Sequence, residues 1–93
     1  MPQNTHINVG TNWTALTNAD VTAMTFQNVS GYPIFVTASN GADQPQAGGG
    51  LMYASGQGEG GRAIADIFPG VSGANRLWAR SSIGTQEVFV SHA

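Results

Sequence analysis

Lysine and cysteine are both missing from this chain, and charge of either sign is scarce. Arg62, Arg76 and Arg80 face five carboxylates, so charged residues fill 9% of the 93 positions. Ordinary soluble domains carry about 25%. A net charge of −2 with so few cations cannot neutralise a run of phosphates, so nucleic acid is not an expected partner. No apolar run approaches the roughly 18 residues that a bilayer span requires, and no membrane association is expected. The first residues, Met1-Pro2-Gln3-Asn4-Thr5-His6, show neither the basic start nor the apolar stretch of a secretory signal. Without cysteine, disulfides contribute nothing and the redox compartment is left open.

What is present is a hydrophobic fraction of 41%, including two Trp and four Phe. That is enough for a packed fold despite 13 glycines. The length allows one domain, and a chain of this size buries roughly two thirds of its unfolded surface. Thr, Asn, Ser, Gln and Gly solvate the exterior in place of charge. Near-zero charge favours close association between molecules, so the composition suits a chain that lives inside an assembly.

Along the chain, residues 5–9 alternate polar and apolar up to Gly10, and 13–16 form a short run. The stretch 21–29 reads as a strand with Met24 and Phe26 on one face and Val21, Ala23 and Val29 on the other. Ser30-Gly31 leads into a second strand over 32–38, with Pro33 near its start, and the pair predicts an antiparallel hairpin. A loop over 40–50 carries Pro45 and the Gly48-Gly49-Gly50 run. A short strand over 51–54 and a flexible glycine-rich loop over 56–61 follow. Residues 62–68 predict the one helical turn, with Ile64, Ile67 and Phe68 spaced i, i+3, i+4 and Pro69-Gly70 as the stop. Two final strands, 77–82 and 85–91, flank a turn at Ile83-Gly84. Short strands at near-regular spacing predict an all-β domain: a small antiparallel β-sandwich or partly open barrel with one short helical turn. Residues 1–12 form an N-terminal arm or first strand, and 13–93 a single β domain. The expected core is Phe26, Ile34, Val36, Leu51, Ile67, Leu77, Val88 and Val90.

Candidate chemistry is thin. Gly56, Gly58 and Gly61 fit G-x-G-x-x-G, but the helix behind them is stopped by Pro69 and no acidic residue stands about 20 positions on, so a phosphate cradle is not expected. Gly70-Val71-Ser72-Gly73-Ala74 lacks the last glycine of a nucleophile elbow, and the only imidazoles, His6 and His92, lie near the two ends. Two His and five scattered carboxylates show no metal-ligand spacing. No catalytic residue, cofactor or metal is expected. The sequons at Asn12 and Asn28 are attributed to chance in an Asn- and Thr-rich chain.

The run Arg76-Leu77-Trp78-Ala79-Arg80 is more informative. Strand alternation sets Leu77 and Ala79 on one face and Arg76, Trp78 and Arg80 on the other. Burying unpaired charge is costly, so Leu77 and Ala79 should face the core, leaving an Arg-Trp-Arg stripe outside. Arg and Trp are enriched at interface hot spots, against which stands a tryptophan half-covered by arginine stems. The N-terminal stretch adds Thr5, His6, Ile7, Asn8 and Val9 as a strand able to pair with a partner's edge, against the plainer reading of an ordinary first strand. With Trp13, these are the expected partner-contact residues.

Taken in order, the runs 9–16 (VGTNWTAL) and 26–33 (FQNVSGYP), then Ile67-Phe68-Pro69-Gly70, Leu77-Trp78-Ala79-Arg80 and Val88-Phe89-Val90-Ser91-His92, resemble the small all-β virion proteins of tailed bacteriophages, notably capsid decoration (cement) proteins and their relatives in tails. The resemblance spans nearly the whole chain. It implies a non-enzymatic particle component, made in the host cytoplasm and carried on the capsid surface, that binds the major capsid protein and other copies of itself as a homo-oligomer. It carries over no catalytic residue. Two alternatives stand beside it: a tail, fibre or baseplate subunit, and a carbohydrate-binding module with Trp13, Tyr32, Tyr53 or Trp78 as its stacking platform.

Overall fold

The computed structural model describes residues 2–45 and 49–93. The fold is an all-β sandwich of two antiparallel four-stranded sheets. Eight strands run as β1 (Gln3–Val9), β2 (Thr14–Ala15), β3 (Ala23–Asn28), β4 (Ile34–Ser39), β5 (Leu51–Tyr53), β6 (Gly58–Ala63), β7 (Arg76–Ser81) and β8 (Gln86–His92). One helical turn, α1 (Ile64–Ile67), follows β6. Sheet A has the order β1-β8-β3-β6, and sheet B the order β2-β7-β4-β5.

Period-two patterning builds both inner faces. In β4, Ile34, Val36 and Ala38 are buried while Phe35, Thr37 and Ser39 are less so. In β8, Val88 and Val90 are wholly buried beside exposed Glu87. Phe26 from β3, Leu77 and Ala79 from β7, Val9 from β1 and Leu16 after β2 complete the core, with Ile64 of α1 beneath them. Tyr53 packs edge-on against Phe26, with ring centroids 5.0 Å apart.

The predicted hairpin between the second and third long runs does not form, because β3 and β4 lie in different sheets. Asn28 explains the change of sheet. Its side chain is fully buried and every polar atom is used. Nδ2 donates to the Tyr32 carbonyl at 2.7 Å and the Tyr53 carbonyl at 3.0 Å, while Oδ1 accepts from Ser30 N at 3.0 Å and Ser30 Oγ at 2.6 Å. A buried amide must be satisfied in this way, and here the bonds fasten the end of β3 to the end of β5 in the opposite sheet. The same burial leaves the Asn28 sequon with no amide free to carry a glycan. The last two strands also part company, β7 to sheet B and β8 to sheet A. The Ser81 hydroxyl donates to the Gly84 carbonyl, and Gln86 Nε2 donates to the Ile83 carbonyl at 2.8 Å, to hold that corner.

Three further expectations are corrected. The glycine-rich segment 56–61 is not a loop from Gly58 onward but enters strand β6. Gly58 lies so close to β3 that a Cβ there would meet the Phe26 carbonyl oxygen. The pairing of β3 with β6 shifts by a residue between Met24 and Phe26. Gly61 adopts φ +61° at this bulge and donates its N–H to Thr25 Oγ1 at 2.8 Å. The helical turn starts at Ile64 instead of Arg62 because Arg62 and Ala63 still pair with β3. In the core, Leu51 is 44% exposed, since β5 is a three-residue edge strand, and Ile67 is only partly buried. The centre of the 40–50 loop, at 46–48, lies outside the described residues.

Candidate interaction surface

Residues 3–9 fold as an ordinary first strand. β1 pairs along its whole length with β8, from Gln3 opposite His92 to Val9 opposite Gln86. Thr5, His6 and Asn8 are exposed, Ile7 is half-buried, and Val9 is fully buried against the core, where it offers no surface to a partner. His6 projects from the outer face of sheet A, edge-on to Phe89 at 5.6 Å and 3.9 Å from Glu87. His92 lies on the opposite face, buried, with Gln3 Nε2 3.0 Å from its Nε2. The two imidazoles therefore do not share a site.

Trp13, Arg76, Trp78 and Arg80 all belong to sheet B or its rim. The predicted alternation holds in β7, where Leu77 and Ala79 are wholly buried inside. The exposed Arg-Trp-Arg stripe does not follow from it. Trp78 lies between Ala15 of β2 and Thr37 of β4, is only 9% exposed, and donates from Nε1 to Ser39 Oγ at 2.8 Å. The chain beyond β4 folds back to Trp13, with Gln44 Nε2 donating to the Trp13 carbonyl at 3.1 Å. The Trp13 ring reaches the backbone at Gly50, where a Cβ would stand 3.2 Å from its ring edge. Arg76 is tied by Nε to Asp20 Oδ1 at 2.7 Å, a carboxylate that sequence reasoning had not paired with it.

Arg80 differs from both neighbours. Its guanidinium carbon sits 5.2 Å from the Trp13 ring centroid and 4.8 Å from that of Phe35. Phe35 is the cross-strand partner of both Arg80 and Met52. A row therefore crosses sheet B from Trp13 through Arg80 and Phe35 to Met52, which is 61% exposed. Phe35 was missed from sequence, although the outward phase of β4 carries it; its partnership with Arg80 depends on register, which alternation does not supply.

Comparison with known proteins gives no match: no family model fits the chain, and neither a curated protein nor a solved structure resembles it.

A second polar cluster joins the two sheets through Tyr53, Glu59 and Arg62. Tyr53 donates its hydroxyl to Glu59 Oε2 at 3.0 Å. Burial, followed by the bond to and charge of Glu59, pushes the phenol up to about 12. Glu59 also meets Arg62 at 3.2 Å. A groove of about 280 Å³ beside the β6 bulge is lined by Gly58, Gly60 and the same Glu59. A carboxylate there is unfavourable to phosphate, and the helix that follows has only four residues. Among the described residues no group of three His, Asp or Glu side chains gathers closely enough to hold a metal ion, and no helix is long and apolar enough to cross a membrane.

Proposed function

We propose that this chain is a non-enzymatic structural subunit of a tailed-phage virion, a capsid decoration protein that binds the major capsid protein and stabilises the shell. The resemblance in sequence supplies the class. The observation that carries the reading is the row of Trp13, Arg80, Phe35 and Met52 on the outer face of sheet B. Trp and Arg are enriched at interface hot spots, and Phe and Met are enriched in interfaces as a whole. They stand on a sheet whose strand β7 is packed on both faces, which limits the ordering cost of association. The work done is mechanical. Each copy bridges neighbouring shell subunits, and many small contacts acting together hold the shell more firmly than one contact alone.

The carbohydrate-binding alternative finds less support. Tyr53 and Trp78 are buried, the Trp13 face is occupied by Arg80, and Tyr32 stands on the corner between β3 and β4. Those four rings make no shared platform.

Quantitative mass spectrometry of purified virions from the encoding genome tests the proposal. Hundreds of copies per particle are expected. A handful would move the subunit to the tail, fibre or baseplate, and none would overturn the virion reading.

A further inference from the structure

Each of the three arginines has a different electrostatic fate. Arg62 meets Glu59 at 3.2 Å and Arg76 meets Asp20 at 2.7 Å. For Arg80, no carboxylate lies within 4.0 Å and no oxygen accepts from the guanidinium among the described residues, although the chain carries five carboxylates and a net charge of −2. Its neighbours are instead the Trp13 and Phe35 rings. Two aromatic rings around a guanidinium restrain it and withdraw part of its water, while the N–H donors at its edge stay available to an acceptor in its plane. Arg80 is half-buried, not closed off. The cost of fixing a long side chain has therefore been met within the fold.

We infer that Arg80 is a recognition site for a single carboxylate, an Asp or Glu side chain of a partner protein set among apolar residues. Charge complementarity requires an anion. The planar donor fork suits the two oxygens of a carboxylate. Met52 beside Phe35, 61% exposed, supplies an apolar flank that a free small anion would leave unused. A dianionic phosphate would call for a second cation, and the other arginine on this face, Arg76, is already neutralised by Asp20. The partner's being a virion protein rests on the function proposed above; the carboxylate site itself does not.

The test needs no capsid. The Nε–Hε signals of the arginines are followed by NMR at constant ionic strength. The titrants are capped Leu-Glu-Leu, capped Leu-Gln-Leu and methyl phosphate. The Glu peptide should shift Arg80 saturably together with the Trp13 indole, with Arg62 and Arg76 unmoved. The Gln peptide and methyl phosphate should bind about tenfold more weakly, the difference a charge-assisted pair makes. Arg80→Lys keeps the charge but loses the fork, and should lose the saturable Trp13 response while the Trp78 indole signal reports an intact fold. Equal shifts from the Glu and Gln peptides, or one shift shared by all three arginines, would overturn the site. A tighter response to methyl phosphate would reassign it to phosphate. A virion without the protein would sink the proposed function and leave this titration standing.

Discussion

β7 and β8 are consecutive in the chain, antiparallel to their neighbours, and second in order within their sheets. They nonetheless present different outer surfaces. β8 follows the simple rule of a half-buried strand, with Val88 and Val90 inside and Glu87 in solvent. β7 is covered on both sides, so that Leu77, Trp78 and Ala79 are buried in succession. The difference comes from what lies over each sheet. Sheet A shows Asn4, His6, Asn8, Gln27 and Glu87 to water, whereas sheet B carries Trp13, Phe35 and Trp78 across its face. The exterior of sheet A is thus polar around a single half-buried Phe89, edge-on to His6, whereas that of sheet B gathers three aromatic rings.

The largest expected effect comes from removing the aromatic at the middle of each outer face. Trp78→Ala should destabilise the fold by about 3 kcal/mol, against about 1 kcal/mol for the half-buried Phe89→Ala, as read by urea unfolding. Equal losses would mean that the two exteriors are not energetically distinct. A smaller effect is expected at the far edge of the sandwich, where Tyr53 of sheet B meets Glu59 of sheet A. Tyr53→Phe should cost about 1 kcal/mol at neutral pH and change the alkaline limb. The folded phenol titrates near 12, above its ordinary value of 10.0. Between those values the unfolded chain has already released the proton that the folded chain retains. Stability is therefore full below pH 10 and falls as pH rises towards 12. The Phe variant should lack that fall, and an unchanged slope would remove Tyr53 from the edge contact. The smallest change is expected for Asp20→Asn, which releases Arg76 on the aromatic face. Because Asp20 is well exposed, about 0.2–1 kcal/mol is at stake, visible as a modest fall in Tm. A larger fall would show that Arg76 also holds the cover over β7.

Much of the comparison was legible before the fold was known. The alternation in 76–80 correctly sends Leu77 and Ala79 inward, and the expected core residues Phe26, Ile34, Val36, Val88 and Val90 are buried. It could not show that the outward side of β7 is also covered. Trp78 is buried between Ala15 of β2 and Thr37 of β4 and bonded to Ser39, 39 positions away. The hairpin expected at 21–38 failed for a related reason. Alternation says which side chains share a face but not which sheet a strand joins, and the buried Asn28 amide makes that choice through Tyr53, 25 positions away. Glycines misled at 56–61, where their small size serves close strand approach at Gly58 and a bulge at Gly61 instead of a mobile loop. Of the nine expected contact residues, Val9 and Trp78 are buried, and Arg76 is engaged by Asp20. Arg80 and Trp13 meet as a pair, to which register adds Phe35.

By itself, the sequence determined that this is a single small all-β chain, poor in charge, whose inner faces are set by alternating apolar residues. Those properties are local, because period two and turn chemistry act over a few residues. Only the tertiary structure decided which strands join which sheet, which tryptophan is covered, and which of three arginines has no carboxylate partner among the described residues. These depend on contacts between distant segments, where a buried amide must find its partners and a charge must either be paired or be held by the rings that the fold brings to it.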